Sequence, residues 1–462
     1  MRQTLRPYQS VAVDSTHQSF REGYKKTLLC MPTGSGKTTV VAHLIEDYLS
    51  QDLKILFVAH RRELVDQAHN RLAQHGIDAG LILPGYEMNG HKVNIASVQT
   101  LVRREIPQVD VLIVDECHHS MAGSFLKIIG KCIDNGSRVL GLTATPFRLD
   151  GKPLGLIFDD LLVPTTVREL IDDGYLVQPR YFGARRTDLE GMKVVAGEYS
   201  IEQMYQKFDK KVLYDGIISN YVEHGGEKCV IFNVNIEHST KTRDAFREAG
   251  FTAEHIDAIT NDYTREDLLK RFRNNEFEIL CNCQLFTEGF DLPHLDTVIV
   301  NRRTKSLCLY TQMIGRVLRP IEGKEHGIVI DQGNNIYEHG FVEDEQDYDL
   351  HRQKKKGDGI APIKLCPQCQ SALHASVMKC GFCGYIYPKE EMELEEAVFE
   401  EIKESPKICK KAKLPEHLRK PWGRMNNEEL QEVATLRGYK KGWVWMQLNL
   451  QTKRRKSYAS AV

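Results

Sequence analysis

Eight residues near the N-terminus, Met31-Pro-Thr-Gly-Ser-Gly-Lys-Thr38, carry the clearest chemistry in the chain. Gly34 and Gly36 let a backbone loop curl until its N–H groups face phosphate oxygens, with Pro32, Thr33 and Ser35 completing the loop. Lys37 is then placed to reach the β and γ phosphates of a nucleotide, and the Thr38 hydroxyl to hold Mg²⁺. The strict pattern opens on glycine, where this chain has Met31. Further on, Asp115-Glu116-Cys117-His118 follows the apolar run Val111-Leu-Ile-Val114. Two carboxylates at the end of a buried strand suit metal-assisted attack on a phosphoryl group. Asp115 would hold Mg²⁺ through water, and Glu116 would polarise the attacking water. A solvated acidic pair is the plainer reading, and the upstream phosphate loop weighs against it. Arg316 and Arg319 stand three apart on an expected helix, so they project from nearly one face. Set across a cleft from the phosphate loop, they could neutralise charge on the transferring phosphoryl group, and the alternative is a surface ion-pair set. Cys366-Pro-Gln-Cys369 and Cys380-Gly-Phe-Cys383 form two C-x₂-C knuckles. Four thiolates at that spacing close a tetrahedral, structural zinc site. Two redox pairs, unrelated thiols and an iron–sulfur cluster are the competing readings.

The elements that must position these groups follow from the apolar pattern. TLLCM, ILFVA, VNIAS, VLIVD and RVLGLTA read as buried parallel strands, with helical spacing over 38–49 and 63–74 between them. A second series, CVIFN, AEHID, EILCN, TVIVN and GIVID, repeats the arrangement between 228 and 331. Both are βαβ signatures, so the fold class is α/β, with two tandem doubly wound parallel sheets. The expected domains are 1–165, carrying the phosphate loop, and 166–342, which begins with accessory helices over about 166–227. A polar linker over 343–359, a zinc ribbon over 360–388, an acidic linker over 389–405 and a basic, aromatic module over 406–462 complete the chain.

With 462 residues the chain exceeds what one core normally organises. Its 41% hydrophobic and 27% charged content are ordinary for a globular protein. The start, MRQTLRPYQS, has no apolar signal core, and no apolar run is long enough to span a membrane. Cys30, Cys229 and Cys281 lie singly in strand-like runs, Cys283 two residues from Cys281, as reduced core thiols do, which points to a cytoplasm or nucleoplasm. The net charge of −1 hides an acidic stretch over 390–404 and a basic tail ending Lys453-Arg-Arg-Lys456, and a local basic face can bind a polyanion.

The order of the motifs resembles that of superfamily 2 helicases from residue 5 to residue 320. The resemblance implies two RecA-like domains, ATP with Mg²⁺, and nucleic acid as partner. Leu5-Arg-Pro-Tyr-Gln9 resembles an adenine-reading segment in which Gln9 contacts the base. Ala59-His-Arg-Arg-Glu-Leu64 and Ser97-Val-Gln-Thr-Leu101 resemble segments that track a nucleic-acid backbone, so Arg61, Arg62, Gln99 and Thr100 become candidate contacts. Thr143-Ala-Thr-Pro146 resembles the segment that links ATP state to domain closure, with Thr143, Thr145 and His118 as coupling residues. Thr287-Glu-Gly-Phe-Asp291 and Gln312-Met-Ile-Gly-Arg-Val-Leu-Arg319 match the last two motifs. These place Gly289, Asp291 and Gln312 at the nucleotide and Thr287 at the nucleic acid. The core is most similar to the bacterial RadD group and to phage and prophage branch-migration helicases.

Asp-Glu-Cys-His in place of Asp-Glu-Ala-Asp, and the short Leu-Arg-Pro-Tyr-Gln segment, tilt the reading from RNA toward DNA: single-stranded, forked or branched. Replication or repair proteins are the expected protein partners, in a bacterial or phage-infected cell. In the tail, helical spacing over 426–436 precedes Lys440, Lys441 and Trp443, which suit phosphate contact and base stacking. Equally, the aromatics could form the core of a small helical module. Competing functions are an ATP-gated clamp without unwinding, an RNA helicase, and the motor subunit of a nuclease assembly.

Overall fold

The computed structural model describes residues 4–86, 90–117, 123–146, 153–183, 191–195, 197–283, 295–344, 346, 348–351, 362–387, 415–418, 425–437, 444 and 447–448. The first half runs α1 (Pro7–Arg21), β1 (Lys26–Cys30), α2 (Lys37–Ser50), β2 (Ile55–Ala59), α3 (Arg62–Gln74), β3 (Ala79–Ile82), β4 (Val93–Ser97), α4 (Val98–Leu101), β5 (Val111–Val114), α5 (Gly123–Asp134), β6 (Arg138–Thr143) and β7 (Asp160–Leu162). Its seven strands are all parallel, in the order β3-β4-β2-β5-β6-β1-β7. β2 and β5 are buried along their whole length, which explains why they read as continuous apolar runs instead of alternating ones.

The second half runs α6 (Val167–Asp172), β8 (Gln178–Gly183), β9 (Val194–Val195), β10 (Glu198–Tyr199), α7 (Ile201–Phe208), α8 (Lys211–His224), β11 (Cys229–Asn233), α9 (Ile236–Glu248), β12 (Ala253–Ile256), α10 (Asp262–Arg273), β13 (Ile279–Asn282), β14 (Thr297–Asn301), α11 (Leu307–Gly315), β15 (His326–Asp331) and α12 (Ile336–His339). Six of these strands form a second parallel sheet, in the order β12-β13-β11-β14-β15-β8. Where only accessory helices were expected before residue 227, the chain also builds the edge strand β8 and the β9–β10 hairpin. Cys281 and Cys283 are buried core residues.

The expected polar linker is not one at its start. Glu343 is buried, accepting hydrogen bonds from Tyr181 Oη at 2.9 Å and Gln178 Nε2 at 2.8 Å. Leu350 packs into the first domain's core near Leu154, Ile157 and Phe158, and its carbonyl accepts the Gly155 N–H at 2.8 Å. Polar composition suggested solvation, but these groups are paired from distant strands.

The cysteine module holds a short hairpin of β16 (Ile363–Leu365) and β17 (Ala372–His374). It docks on the second domain. Arg180 of β8 donates from Nε to Ser371 Oγ at 2.7 Å, and its guanidinium lies 5.0 Å from the Phe182 ring and 5.3 Å from that of Phe382. His374 and Asp344 pair at 2.9 Å. Residues from Lys389 onward form a separate compact unit. There α13 (Asn427–Arg437), shifted by one residue from the expected 426–436, packs Leu430 and Val433 on Leu418 and Met425. Lys440, Lys441 and Trp443 lie outside the described residues.

Candidate active site

The phosphate loop leaves β1 and opens α2 as the pattern requires. Gly34 (φ 88°) and Gly36 (φ 81°) both take the left-handed region that a side chain strains to reach. At Gly36 space is also closed, since a Cβ would lie 2.5 Å from Gln9 Nε2. Lys37 Nζ donates to Met31 O at 3.0 Å, holding the amine over the loop. Ser35 turns its hydroxyl back to Pro32 O at 2.7 Å, so the side chain braces the loop and leaves the backbone to face a ligand.

Gln9 differs in detail from its expected role. Its Nε2 donates to Ser35 O at 2.9 Å and its Oε1 accepts the Arg6 N–H at 3.0 Å. Tyr8 adds a second brace, donating to the same Ser35 carbonyl at 2.9 Å. The carboxamide therefore shapes the loop directly, whatever it adds at a base. Tyr8 adjoins Gln9 in the same segment, and its role becomes visible only where its hydroxyl reaches Ser35 across 27 residues of chain.

Asp115 and Glu116 follow β5, beside the loop. Glu116 adopts φ 47°, uncommon for a non-glycine residue, with its N–H donating to Asp115 Oδ1 at 3.0 Å. Thr143 closes the adjacent strand. Its carbonyl accepts the Met31 N–H at 3.0 Å, while its hydroxyl donates to Thr145 O at 2.7 Å and accepts the Thr145 N–H at 3.2 Å. The Thr143–Thr145 turn is thus bonded to the strand that carries the phosphate loop. That is the connection a coupling segment needs. His118 lies outside the described residues.

The second domain closes the site. A cleft of about 570 Å³ is lined by Lys37, Thr38, Asp115 and Glu116 from one side and by Gln312, Arg316 and Arg319 from the other. The helix reading of the arginines needs correction: α11 stops at Gly315, and both arginines emerge from the turn that follows. They still reach one cleft. Gly315 makes the approach close enough, because a Cβ there would lie 2.6 Å from Thr33 Cβ in the phosphate loop. Leu176 packs over Gly34 in the same way, 3.2 Å from where its Cβ would be. Gln312 is buried, and its Nε2 has no hydrogen-bond partner among the described residues. Burial, and next the Arg71 charge, pushes the Arg319 guanidinium below the usual arginine range. A cleft rich in cations, with two carboxylates at one wall, can hold a Mg²⁺–triphosphate and stabilise the charge of its hydrolysis.

The candidate nucleic-acid segments fall on neighbouring strand ends. β2 and β4 pair up to Ala59 and Ser97, so the segments that follow them, with Arg61 capping α3 and Gln99 in α4, emerge side by side. Gln99 Nε2 donates to His60 O at 2.6 Å, tying the two segments together, and Ser97 Oγ donates to Thr100 Oγ1 at 2.8 Å. Arg62 stands 3.8 Å from Asp66 one turn along α3, and both side chains are largely exposed. Thr287, Gly289 and Asp291 lie outside the described residues.

In the cysteine module all four Sγ atoms lie within 4.8 Å of one another. The Cys366–Cys383 and Cys369–Cys380 separations are 3.6 and 3.7 Å. A disulfide needs about 2.05 Å. A tetrahedron with metal–sulfur bonds of about 2.3 Å has edges of about 3.8 Å, which these separations match.

Comparison with known proteins agrees with this geometry. Residues 2–148 match the model for the type III restriction enzyme res subunit, and residues 210–320 match the helicase conserved C-terminal domain. A 51.5 kDa protein of a Lactococcus phage is 31% identical over 85% of this chain and 86% of its own length. A Saccharomyces cerevisiae protein named as the ATP-dependent helicase IRC3 is 30% identical over 71% of this chain, which spans about half of that relative (51%). Among solved structures, a fragment of an HsdR subunit of a type I restriction enzyme from Vibrio vulnificus superposes with a TM-score of 0.58 at 23% identity, covering 72% of this chain and 65% of that one. The type ISP restriction-modification enzyme LlaBIII, bound to DNA, superposes with a TM-score of 0.54 at 17% identity over 71% of this chain and 28% of its own. These two show the fold. Among the described residues no helix is long and apolar enough to cross a membrane. Two RecA-like sheets, a phosphate loop facing paired arginines, and matches to both helicase domain models make this chain a DExH-type superfamily 2 helicase that hydrolyses ATP with Mg²⁺ and binds nucleic acid.

Proposed function

We propose that the chain is a DNA motor, which uses ATP in the cleft between its two RecA-like domains to translocate on or remodel DNA during repair, recombination or replication. The observation that carries this reading is the division of the site: Lys37, Asp115 and Glu116 come from one domain, Gln312, Arg316 and Arg319 from the other. In this reading Thr38 and Asp115 hold Mg²⁺, Glu116 orients water, and the arginines stabilise the transferring phosphoryl group only when the cleft is closed. Each cycle of closing and opening would then shift two nucleic-acid grips, one of them carrying Arg61, Arg62, Gln99 and Thr100. The choice of DNA is supported by the relatives whose names specify it, including a DNA 3'-5' translocase of Sulfurisphaera tokodaii, 23% identical, and LlaBIII bound to DNA. The thiolate tetrahedron is proposed to hold zinc as a structural ion, since four protein ligands leave no open position for chemistry.

The test is ATP hydrolysis with single-stranded DNA, duplex DNA, forked DNA and RNA, alongside strand displacement. Stimulation by DNA well above RNA, with displacement or translocation, is the expected result. DNA-stimulated turnover without movement of any strand would favour an ATP-gated clamp, and preference for RNA would overturn the choice of DNA.

A further inference from the structure

The cleft extends past the phosphate loop along a seam between two helices. From the first domain, α3 offers Glu63, Gln67 and Arg71, spaced four apart and so on one face. From the second, α10 offers Arg265 and Arg273, eight apart and also on one face. At one end the seam is closed by opposite charges: Arg265 Nη1 donates to Glu63 Oε1 at 3.0 Å, with Asp262 3.7 Å from the same guanidinium. The other part of the seam has the opposite character. Arg71, Arg273 and Arg319 all line the same cleft as Lys37 and the phosphate loop. Among the described residues the Arg71 side chain has a single hydrogen bond, 3.4 Å to Gln74 Oε1, and neither Arg71 nor Arg273 has an ion-pair partner. Like charges brought together from two domains repel unless an anion lies between them. The cleft therefore carries more positive charge than Lys37, Arg316 and Arg319 supply, at a place where only the two domains together create it.

We propose that Arg71 and Arg273 are further nucleotide contacts, one from each domain, which grip the phosphate chain of the bound nucleoside triphosphate from the α3–α10 side, beside Arg319. The proposal rests on the cleft being the ATP site. The nucleotide thereby gains a second role. By lying between cations of the two domains, Arg71 on one side and Arg273 and Arg319 on the other, it would draw together the seam that Glu63 and Arg265 already close at its other end.

Both arginines are exposed, so replacing them does not threaten the core. The experiment titrates ATP into the full chain by calorimetry and measures KM and kcat for Arg71→Gln, Arg273→Gln, the double variant, Arg71→Lys and Lys37→Ala. A charge-assisted contact is worth enough that each Gln variant should weaken ATP binding about tenfold, the double variant more, with KM rising by a larger factor than kcat falls. Arg71→Lys, which keeps the charge, should retain part of the affinity. Lys37→Ala distinguishes failure of the arginine contacts from failure of the site itself. If it weakens ATP binding while the double Gln variant stays within twofold of wild type, the arginine proposal falls and the site assignment stands. If Lys37→Ala leaves ATP binding and turnover intact, the cleft is not the nucleotide site and both fall. An Arg71→Lys variant as weak as Arg71→Gln would also overturn the proposal, because charge would not be what the position supplies.

Discussion

Gly315→Ala tests how tightly the second domain must seat on the phosphate loop. The added Cβ would lie 2.6 Å from Thr33 Cβ and 2.8 Å from Thr33 Cγ2. Ordinary contacts begin near 3.4 Å. The end of α11 must therefore retreat by somewhat under 1 Å, and Arg316, the next residue, moves with it. A misplacement of about 1 Å at a reacting centre can cost about 10²-fold in rate. Turnover of Gly315→Ala with saturating nucleic acid is therefore expected to fall about 10²-fold, while ATP affinity, set largely by the phosphate loop, changes by no more than about threefold. Steady-state hydrolysis together with ATP titration reads both quantities. Thr33→Gly removes the obstructing side chain, so adding it to Gly315→Ala should recover about tenfold of the lost rate. Turnover of Gly315→Ala within threefold of wild type would refute the reasoning, since the domains would then tolerate a looser fit.

Four other outcomes follow. Lys37→Ala should abolish hydrolysis, whereas Glu116→Gln should block it with ATP binding retained; near-normal turnover in Glu116→Gln would remove its assignment as the water-polarising group. Elemental analysis of protein purified without chelators should find about one zinc per chain, lost in Cys366→Ser with Cys369→Ser; absence of zinc, or the absorbance of a thiolate-bound iron, contradicts the metal assignment. Burial pushes the Glu343 carboxyl up from its usual 4.5 to about 7, so its docking beside Tyr181 is fully favourable below about pH 4.5 and is lost as pH rises through about 7. Glu343→Gln should therefore flatten the pH dependence of stability between those limits, as followed by chemical denaturation. Arg180→Ala removes one hydrogen bond and two ring contacts, together worth about 2 kcal/mol, and should speed amide exchange in β16 and β17 while the second sheet stays protected.

Much of this architecture was legible in the sequence because parallel strands buried on both faces must be apolar throughout. VLIV and CVIFN are continuous runs, and each delivers polar residues at its carboxyl end. The phosphate loop and the Asp-Glu pair were legible for the same reason, as chemistry placed at strand ends. What escaped depends on partners distant in sequence. β8 contains Pro179 and Arg180 and owes its strand form to pairing with β15 at a sheet edge. Glu343 looked solvated because nothing local shows that Tyr181 and Gln178 will bury it. The ribbon looked tethered because Arg180, its main contact with the motor, lies 191 residues before Ser371. Arg316 and Arg319 were placed on a helix that ends one residue earlier, where Gly315 abuts Thr33. Their common target was legible, and the turn that presents them was not.

The central claim is that one ATP site is built from two domains. Single-turnover hydrolysis by Arg316→Ala and Arg319→Ala, measured at saturating ATP and nucleic acid, tests it most directly. A fall of about 10³-fold or more is predicted for each variant, with each still folded and able to bind ATP. Turnover near the wild-type rate in both would mean that the first domain hydrolyses ATP without the second, and would contradict the claim.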